Sequence, residues 1–411
     1  MASQPLPPRG TMTVSGAGTA ERYSRSRRSE IAIWWREIDR SLLLLVIVLM
    51  TMSAASVAAA SPASARRLST AETTLDDLHF LYIHLRWQFV GLMVMLGTSM
   101  LTRDLARRTG ILLAAAMIFA LFLVPVIGYE VNGAKRWIRL GIGFQPSEFL
   151  KPGYAILLAW ILSWRVRDPK LPVIGFTAAI LVLIACLLML QPNFGAVMLY
   201  TGVWFVLTLL SGISVKRIIA VGAATLALVV GAYLFYDNAR NRINDFFGGG
   251  TAFDQVDLAQ RTLMNGGWSG TGFWLGQRKF ALPEAHTDYI FSVIGEEFGL
   301  LACAIIVLLY LALLIRVLVR LIDEEDLFCV LAGAGLATLF GGQAFINILV
   351  NLQLFPSKGM TLPLISYGGS STIALCFTIG LLLAITRRNP FIERSGFSLR
   401  DMTGQQMERA P

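Results

Sequence analysis

Residues 283–317 read PEAHTDYIFSVIGEEFGLLACAIIVLLYLALLIRV, a loop carrying Glu284, His286 and Asp288 that runs into about thirty mostly apolar residues. At about 1.5 Å per residue, such a run is long enough as a helix to cross roughly 30 Å of hydrocarbon. Backbone groups in lipid must be satisfied within the segment, so the run is predicted to be a membrane helix. An ionisable side chain at the head of such a span is unusual, which makes Asp288 the first residue to explain.

The pattern recurs along the chain. Of 411 residues, 55% are hydrophobic and 15% charged, and the mean hydropathy is +0.63, which excludes an ordinary soluble domain. Spans are expected at Ser41–Ala60, Trp87–Leu101, Ile111–Gly128, Glu148–Ser163, Leu171–Leu190, Gly195–Leu210, Ile218–Tyr236, Tyr289–Val317, Leu327–Val350 and Ser366–Ile385, about ten in all. The expected fold is therefore an all-α polytopic membrane protein. The basic segments RDLARR, WRVRDPK, VKR, RVLVR and TRRNPFIER alternate with the other loops, which puts them and both termini in the cytoplasm. Residues 1–40, rich in Pro, Ser and Arg, read as a disordered cytoplasmic arm, residues 41–386 as the membrane domain and residues 387–411 as a cytoplasmic tail. The AAASPASA tail of the first span resembles a cleavage site, but the apolar stretch starts too far from Met1 for a signal peptide, so an uncleaved anchor is expected. One long outer loop, 237–287, contains clustered glycines that argue for tight turns rather than a packed domain.

Cys186, Cys303, Cys329 and Cys376 lie inside apolar runs without metal-ligand spacing, so neither a disulfide nor a structural zinc is expected. The net charge of +9 sits in short segments beside the spans, without the basic stripe and interleaved aromatics of a nucleic-acid binder. No GxSxG, HExxH, Walker or GxGxxG context is present, which argues against a hydrolase, a metalloprotease and a nucleotide-driven pump.

Several cations break the inside bias. Lys135, Arg136 and Arg139 lie in NGAKRWIRLG, Arg278 and Lys279 in the long loop and Lys358 in FPSKG, all on the outer side with Asp288. Each alone reads as interfacial snorkelling. Together they suit an anionic ligand, phosphate above all. In FQPSEFLK, Pro146 and Ser147 are placed to start and cap a helix, with Glu148 and Lys151 three apart on one face. Asp288 itself reads either as a helix N-terminal acid, worth about 0.3 to 1 kcal/mol through the macrodipole, or as a general base tuned by burial and nearby cations. His286 is a rival base or a hydrogen-bonding loop residue. Glu296, about 12 Å deeper and about 80° round the helix, is the better candidate than Glu297 to share a cavity with Asp288. In FPSKGMTLPLISYGGSS, Gly368, Gly369, Ser370 and Ser371 allow close backbone approach near a helix start, either for an anion or for helix packing.

PEAHTDYIFSVIGEEFG, NGAKRWIRLGIGFQPSEFLKP, QPNFGAV and PSKGMTLPLISYGGSS, in this order and spacing, resemble the SEDS family of bacterial shape, elongation, division and sporulation proteins, across nearly the whole membrane region. The wording of PEAHTD and PSKG is closer to the division branch than to the rod-elongation branch. The resemblance implies the SEDS fold and a peptidoglycan glycosyltransferase that polymerises lipid II at the outer face of the cytoplasmic membrane, at the septum, and releases undecaprenyl diphosphate. It further implies a class B penicillin-binding transpeptidase and other membrane proteins of the division complex as partners. Asp288 matches the family's essential aspartate, and Lys135, Arg136 and Lys358 fall where they would line its cavity. Trp137, Glu148, Lys151, His286, Thr287, Glu296, Ser366, Tyr367, Gly368, Gly369 and Ser370 complete the expected substrate-binding set. No motif requires a cofactor, although a divalent cation, Mg or Mn, suits a diphosphate leaving group. Asn193 stands in QPNFG where the family usually has aspartate, and the long loop departs from the common wording. Two rival classes remain compatible with the sequence: a lipid II flippase, which would show midplane charges and broken helices, and a division scaffold that tolerates neutral changes at Asp288.

Overall fold

The computed structural model describes residues 26–70, 73–131, 134–140, 142–166, 168, 170–212, 255–356 and 359–388, with scattered positions between 219 and 244. The chain divides into a small unit, Met1–Ile38 with Arg388–Arg394, and a large one holding the rest. In the small unit, helix α1 spans Ser26–Glu37. The arm expected to be disordered through residue 40 is thus helical over its last part, because SRRSEIAIWWRE contains no Gly or Pro to break a helix.

The large unit is a helical bundle of α2 (Arg40–Leu68), α3 (His79–Ser99), α4 (Arg103–Ile127), α5 (Pro146–Ser163), α6 (Val173–Met189), α7 (Phe194–Leu210), α8 (Gln255–Asn265), α9 (Ile290–Ile322), α10 (Leu327–Asn351) and α11 (Gly369–Ile385). Among the described residues, α2, α3, α4, α9 and α10 are long and apolar enough to cross a membrane by length and composition. Each expected span except Ile218–Tyr236, which lies largely outside the described residues, coincides with a bundle helix. Side chains set several helix starts: Asp39 accepts from the amides of Ser41 and Leu42 at 3.1 Å, Thr102 from Leu105 at 3.3 Å, and Asp326 from Phe328 at 3.0 Å. Helix α5 differs from expectation. Gln145 occupies its cap, Pro146 its first turn, and Ser147 does not cap it.

Within NGAKRWIRLG, the described residues Ala134–Leu140 form a strand rather than irregular loop. Strands β1 (Tyr129–Val131), β2 (Ala134–Leu140) and β3 (Ile142–Phe144) form a small antiparallel sheet in the order β1-β2-β3, with Glu130 opposite Lys135 and Ile138 opposite Phe144. Alternation in AKRWIRL is the period of a strand with one covered face, and Ala134 and Ile138 are buried while Lys135 and Arg139 are exposed.

Small residues let the helices approach closely, as expected where lipid gives no hydrophobic drive for association. A Cβ on Gly153 would lie 2.7 Å from the Ala114 amide, one on Gly91 2.8 Å from Cys376 Sγ, and one on Gly369 2.9 Å from the Trp87 ring. These contacts lock α4 to α5 and α3 to α11.

The two ends of the bundle differ in chemistry. At one end Asp39 takes hydrogen bonds from Arg316 at 2.8 Å and Arg320 at 2.6 Å, and Arg103 makes a forked pair with Glu324 at 2.9 and 3.1 Å while donating to the Arg387 carbonyl. At the other, the sheet meets α4, α5 and α11, and the loops before α9 and α11 converge.

Candidate active site

Segment 283–289 enters the site end as a chain of turns. The Thr287 amide and the Tyr289 amide both reach the Glu284 carbonyl, at 3.1 and 3.3 Å. Beneath it a cluster of Tyr289, Val293, Ala285, Leu282, Val256, Ala259, Ala59, Ala60 and Val350 ties together α2, α8, α9 and α10. Val256, Ala259 and Leu263 recur on one face of α8 and are buried, so the expected loop of tight turns carries a packed amphipathic helix.

Asp288 is half-buried and precedes the α9 cap position, Tyr289. Its backbone carbonyl accepts from Asn347 Nδ2 at 2.8 Å and from Asn351 Nδ2 at 3.2 Å. Gly359 faces its side chain: a Cβ there would lie 3.4 Å from Asp288 Oδ2. The φ of +60° at Gly359 is the left-handed conformation that glycine adopts without strain. Lys358, expected to line the site, lies outside the described residues.

The neighbouring expectations divide. Thr287 donates through Oγ1 to Glu284 Oε2 at 2.7 Å, and its carbonyl accepts from Ser366 Oγ at 2.6 Å. Ser366 Oγ also receives the Leu362 amide at 2.7 Å, and the Tyr367 amide bonds the His286 carbonyl at 2.9 Å. The loop before α11 is thereby stitched to the loop before α9. His286 is not placed as a base: its ring is buried, 2.7 Å from Ser64 Oγ through Nδ1, between Phe80 and Tyr367. Burial pushes its pKa down to about 4 against the upward pull of Glu284, so the ring is neutral near pH 7. Gly368 is extended, with φ of 166°, Gly369 packs on Trp87, and Ser370 Oγ is buried without a hydrogen-bond partner among the described residues.

Glu148 and Lys151 form the expected pair at 2.7 Å. Lys151 Nζ continues to Gln343 Oε1 at 2.8 Å, Gln343 Nε2 donates to the Thr361 carbonyl at 3.0 Å, and Thr361 Oγ1 meets Ser371 Oγ at 3.0 Å. Gln343, Asn347 and Asn351, four residues apart on α10, thus form one polar face joining α5, the 359–362 loop and Asp288. Sequence reasoning did not single out these three; their four-residue spacing inside an apolar span was the available signal.

Glu296 corrects the expected cavity. It is buried, and its carboxylate accepts from Asn265 Nδ2 at 3.0 Å and the amides of Arg278 and Lys279 at 2.8 and 2.9 Å, so it organises the long loop. Lys279, grouped by sequence with anion-binding cations, is buried and paired with Glu297, which also takes the Trp274 amide; its Nζ donates to the Ala59 carbonyl at 2.8 Å. A buried ammonium requires such partners. Arg136 Nε donates to the Gln191 carbonyl at 3.0 Å and a second guanidinium nitrogen to Pro192, so it braces the α6–α7 turn. There Asn193 caps α7, accepting from the Ala196 amide at 3.4 Å, a role that needs no acid. Arg139 lies over the Tyr129 ring at 5.0 Å. Lys135 is exposed on β2, and Trp137 is half-buried beside it, opposite Tyr129.

Among the described residues no three His, Cys, Asp or Glu side chains converge to hold a metal.

The family model for FtsW/RodA/SpoVE, described as cell cycle protein, matches residues 40–390. A "Probable peptidoglycan glycosyltransferase FtsW" of Caulobacter vibrioides is 33% identical over 370 residues, covering 90% of this chain and 94% of the relative. A protein of the same name from Hahella chejuensis is 38% identical over 326 residues, covering 75% and 81%. Among solved structures, a chain of "Structural coordination of polymerization and crosslinking by a peptidoglycan synthase complex" is similar at a TM-score of 0.68 and 28% identity, covering 85% of this chain and 97% of that one. The rod shape determining protein RodA of Thermus thermophilus is similar at a TM-score of 0.61 and 26% identity, covering 86% and 97%.

Proposed function

The chain belongs to the FtsW/RodA/SpoVE family of cell cycle proteins, and from that premise we propose that it is a multi-pass membrane peptidoglycan glycosyltransferase that polymerises lipid II during septal wall synthesis. The site end faces the outer side of the cytoplasmic membrane in this reading, which the alternation of basic loops supports. The half-buried Asp288 carboxylate, on a peptide held by two asparagines, carries the assignment. Asp288 accepts the proton of the acceptor sugar's 4-hydroxyl as that oxygen attacks the anomeric carbon of the growing strand. The carbon–oxygen bond to the diphosphate breaks with inversion, and undecaprenyl diphosphate leaves.

Exposed Lys135 and Lys358, which precedes Gly359 in the chain, supply the positive charge for the diphosphate. Arg136 contributes chiefly by fixing the Gln191–Pro192 turn beside the sheet. The product strands are crosslinked by a class B transpeptidase, in keeping with the relative's place in a peptidoglycan synthase complex.

The test is polymerisation of labelled lipid II by the purified protein with its transpeptidase partner. Asp288→Asn is expected to abolish strand formation, a loss of at least about a hundredfold, while retaining size-exclusion behaviour. Full activity in that variant removes Asp288 as base, and lipid scrambling in liposomes without polymer replaces the enzyme reading with a flippase.

A further inference from the structure

We infer that Asn347 is a positioning residue for this chemistry, a single carboxamide that sets the Asp288 peptide against the 359–362 loop. This deepens the reading of Asp288 as base and rests on it. Asn347 Nδ2 carries two N–H groups. One goes to the Asp288 carbonyl at 2.8 Å and the other to the Met360 carbonyl at 2.6 Å. Met360 follows Gly359, whose Cβ position lies 3.4 Å from Asp288 Oδ2. The two strands of chain that frame the carboxylate are therefore tied to one planar group on a third element.

The neighbours on α10 hold that group in turn. Asn351 Nδ2 donates to Asn347 Oδ1 at 3.3 Å, to the Asn347 backbone carbonyl at 2.9 Å and to the Asp288 carbonyl at 3.2 Å, and its Oδ1 accepts from Ser292 Oγ at 2.7 Å and the Ser292 amide at 3.2 Å. Gln343, one turn the other way, fixes Thr361. All three carboxamides are buried, at a desolvation cost that leucine would not incur. General-base catalysis tolerates little error in the distance between base and hydroxyl, and a misplacement of about 1 Å can cost roughly a hundredfold in rate. A fixed amide meets that demand.

Lipid II polymerisation by the complex with its partner is measured for Asn347→Leu and Asn347→Asp. Asn347→Leu removes the donor to the Met360 carbonyl and is expected to lower the melting temperature by a few degrees, while the folded protein keeps its KM and kcat falls about a hundredfold at every pH. Asn347→Asp presents a carboxylate to two carbonyl oxygens at high pH and regains an O–H donor when protonated. Its kcat relative to wild type is therefore expected to rise about tenfold between about pH 8 and about pH 6, whereas the Asn347→Leu ratio stays flat. A merely structural asparagine would act through the folded fraction alone, so kcat is taken per folded protein from the melting curve at each pH, and both ratios would then stay flat near one. Near-wild-type kcat in Asn347→Leu, or a flat ratio for Asn347→Asp, overturns the inference. With Asp288→Asn inactive, either result sinks the positioning role alone, whereas an active Asp288→Asn sinks the base assignment beneath it.

Discussion

Asp288 and His286 stand two residues apart yet meet different surroundings. The aspartate keeps part of its surface open, while the imidazole is enclosed by Phe80, Tyr367 and Ser64. A ring whose pKa falls from 6.5 to about 4 on folding binds fewer protons folded than unfolded between those values. Its contribution to stability is complete above about pH 6.5 and is lost as pH falls towards about 4. His286→Asn is accordingly expected to flatten the decline of apparent melting temperature between about pH 6.5 and about pH 5; identical slopes in both proteins would contradict it. Asp288 was legible in the sequence because a charge beside lipid needs a reason. The enclosure of His286 was not, because Ser64 and Phe80 come from helices some two hundred residues earlier.

At the level of elements, α9 is two helices joined at Gly299, where φ is +84° and ψ 173°. Loop segment 266–272 fills the break: the Thr271 amide bonds the Glu296 carbonyl at 2.8 Å, and the Leu300 amide bonds the Gly267 carbonyl at 2.9 Å. The buried Lys279–Glu297 pair closes the same junction. Removing one partner leaves an uncompensated charge, so Lys279→Met is expected to destabilise the protein by roughly 3–5 kcal/mol. Lys279→Met with Glu297→Gln is expected to regain much of that, since the amide oxygen can still accept from Trp274; thermal melts of the single and double variants in detergent decide it. An unbroken span over Tyr289–Val317 was the natural reading because apolar periodicity does not register one glycine at positive φ. The glycines of the long loop were visible in the sequence, but their partner was not.

Across the whole molecule, a clasp of Asp39 with Arg316 and Arg320 marks one end and the sheet with the Asp288 loops the other. Burial raises the Asp39 pKa, but hydrogen bonds from Arg316, Leu42 and Arg320 outweigh it and hold the carboxyl below its usual value. Membrane sidedness follows as a test. In spheroplasts, Lys135→Cys is expected to react with an impermeant maleimide added outside, above the background of the native cysteines, and Arg320→Cys only after lysis; the reverse pattern would invert the topology. The helical membrane class, the run of spans and the candidate acid were legible along the chain, because hydrocarbon thickness and the cost of buried charge act on each segment separately. Tertiary structure alone decided which polar residues share a site. Gln343, Asn347 and Asn351 find partners on α5 and on the loops before α9 and α11, whereas Glu296 and Lys279 are consumed by the loop packed against α9. Hydrogen-bond partnership depends on three-dimensional neighbours, and no local pattern in the chain encodes it.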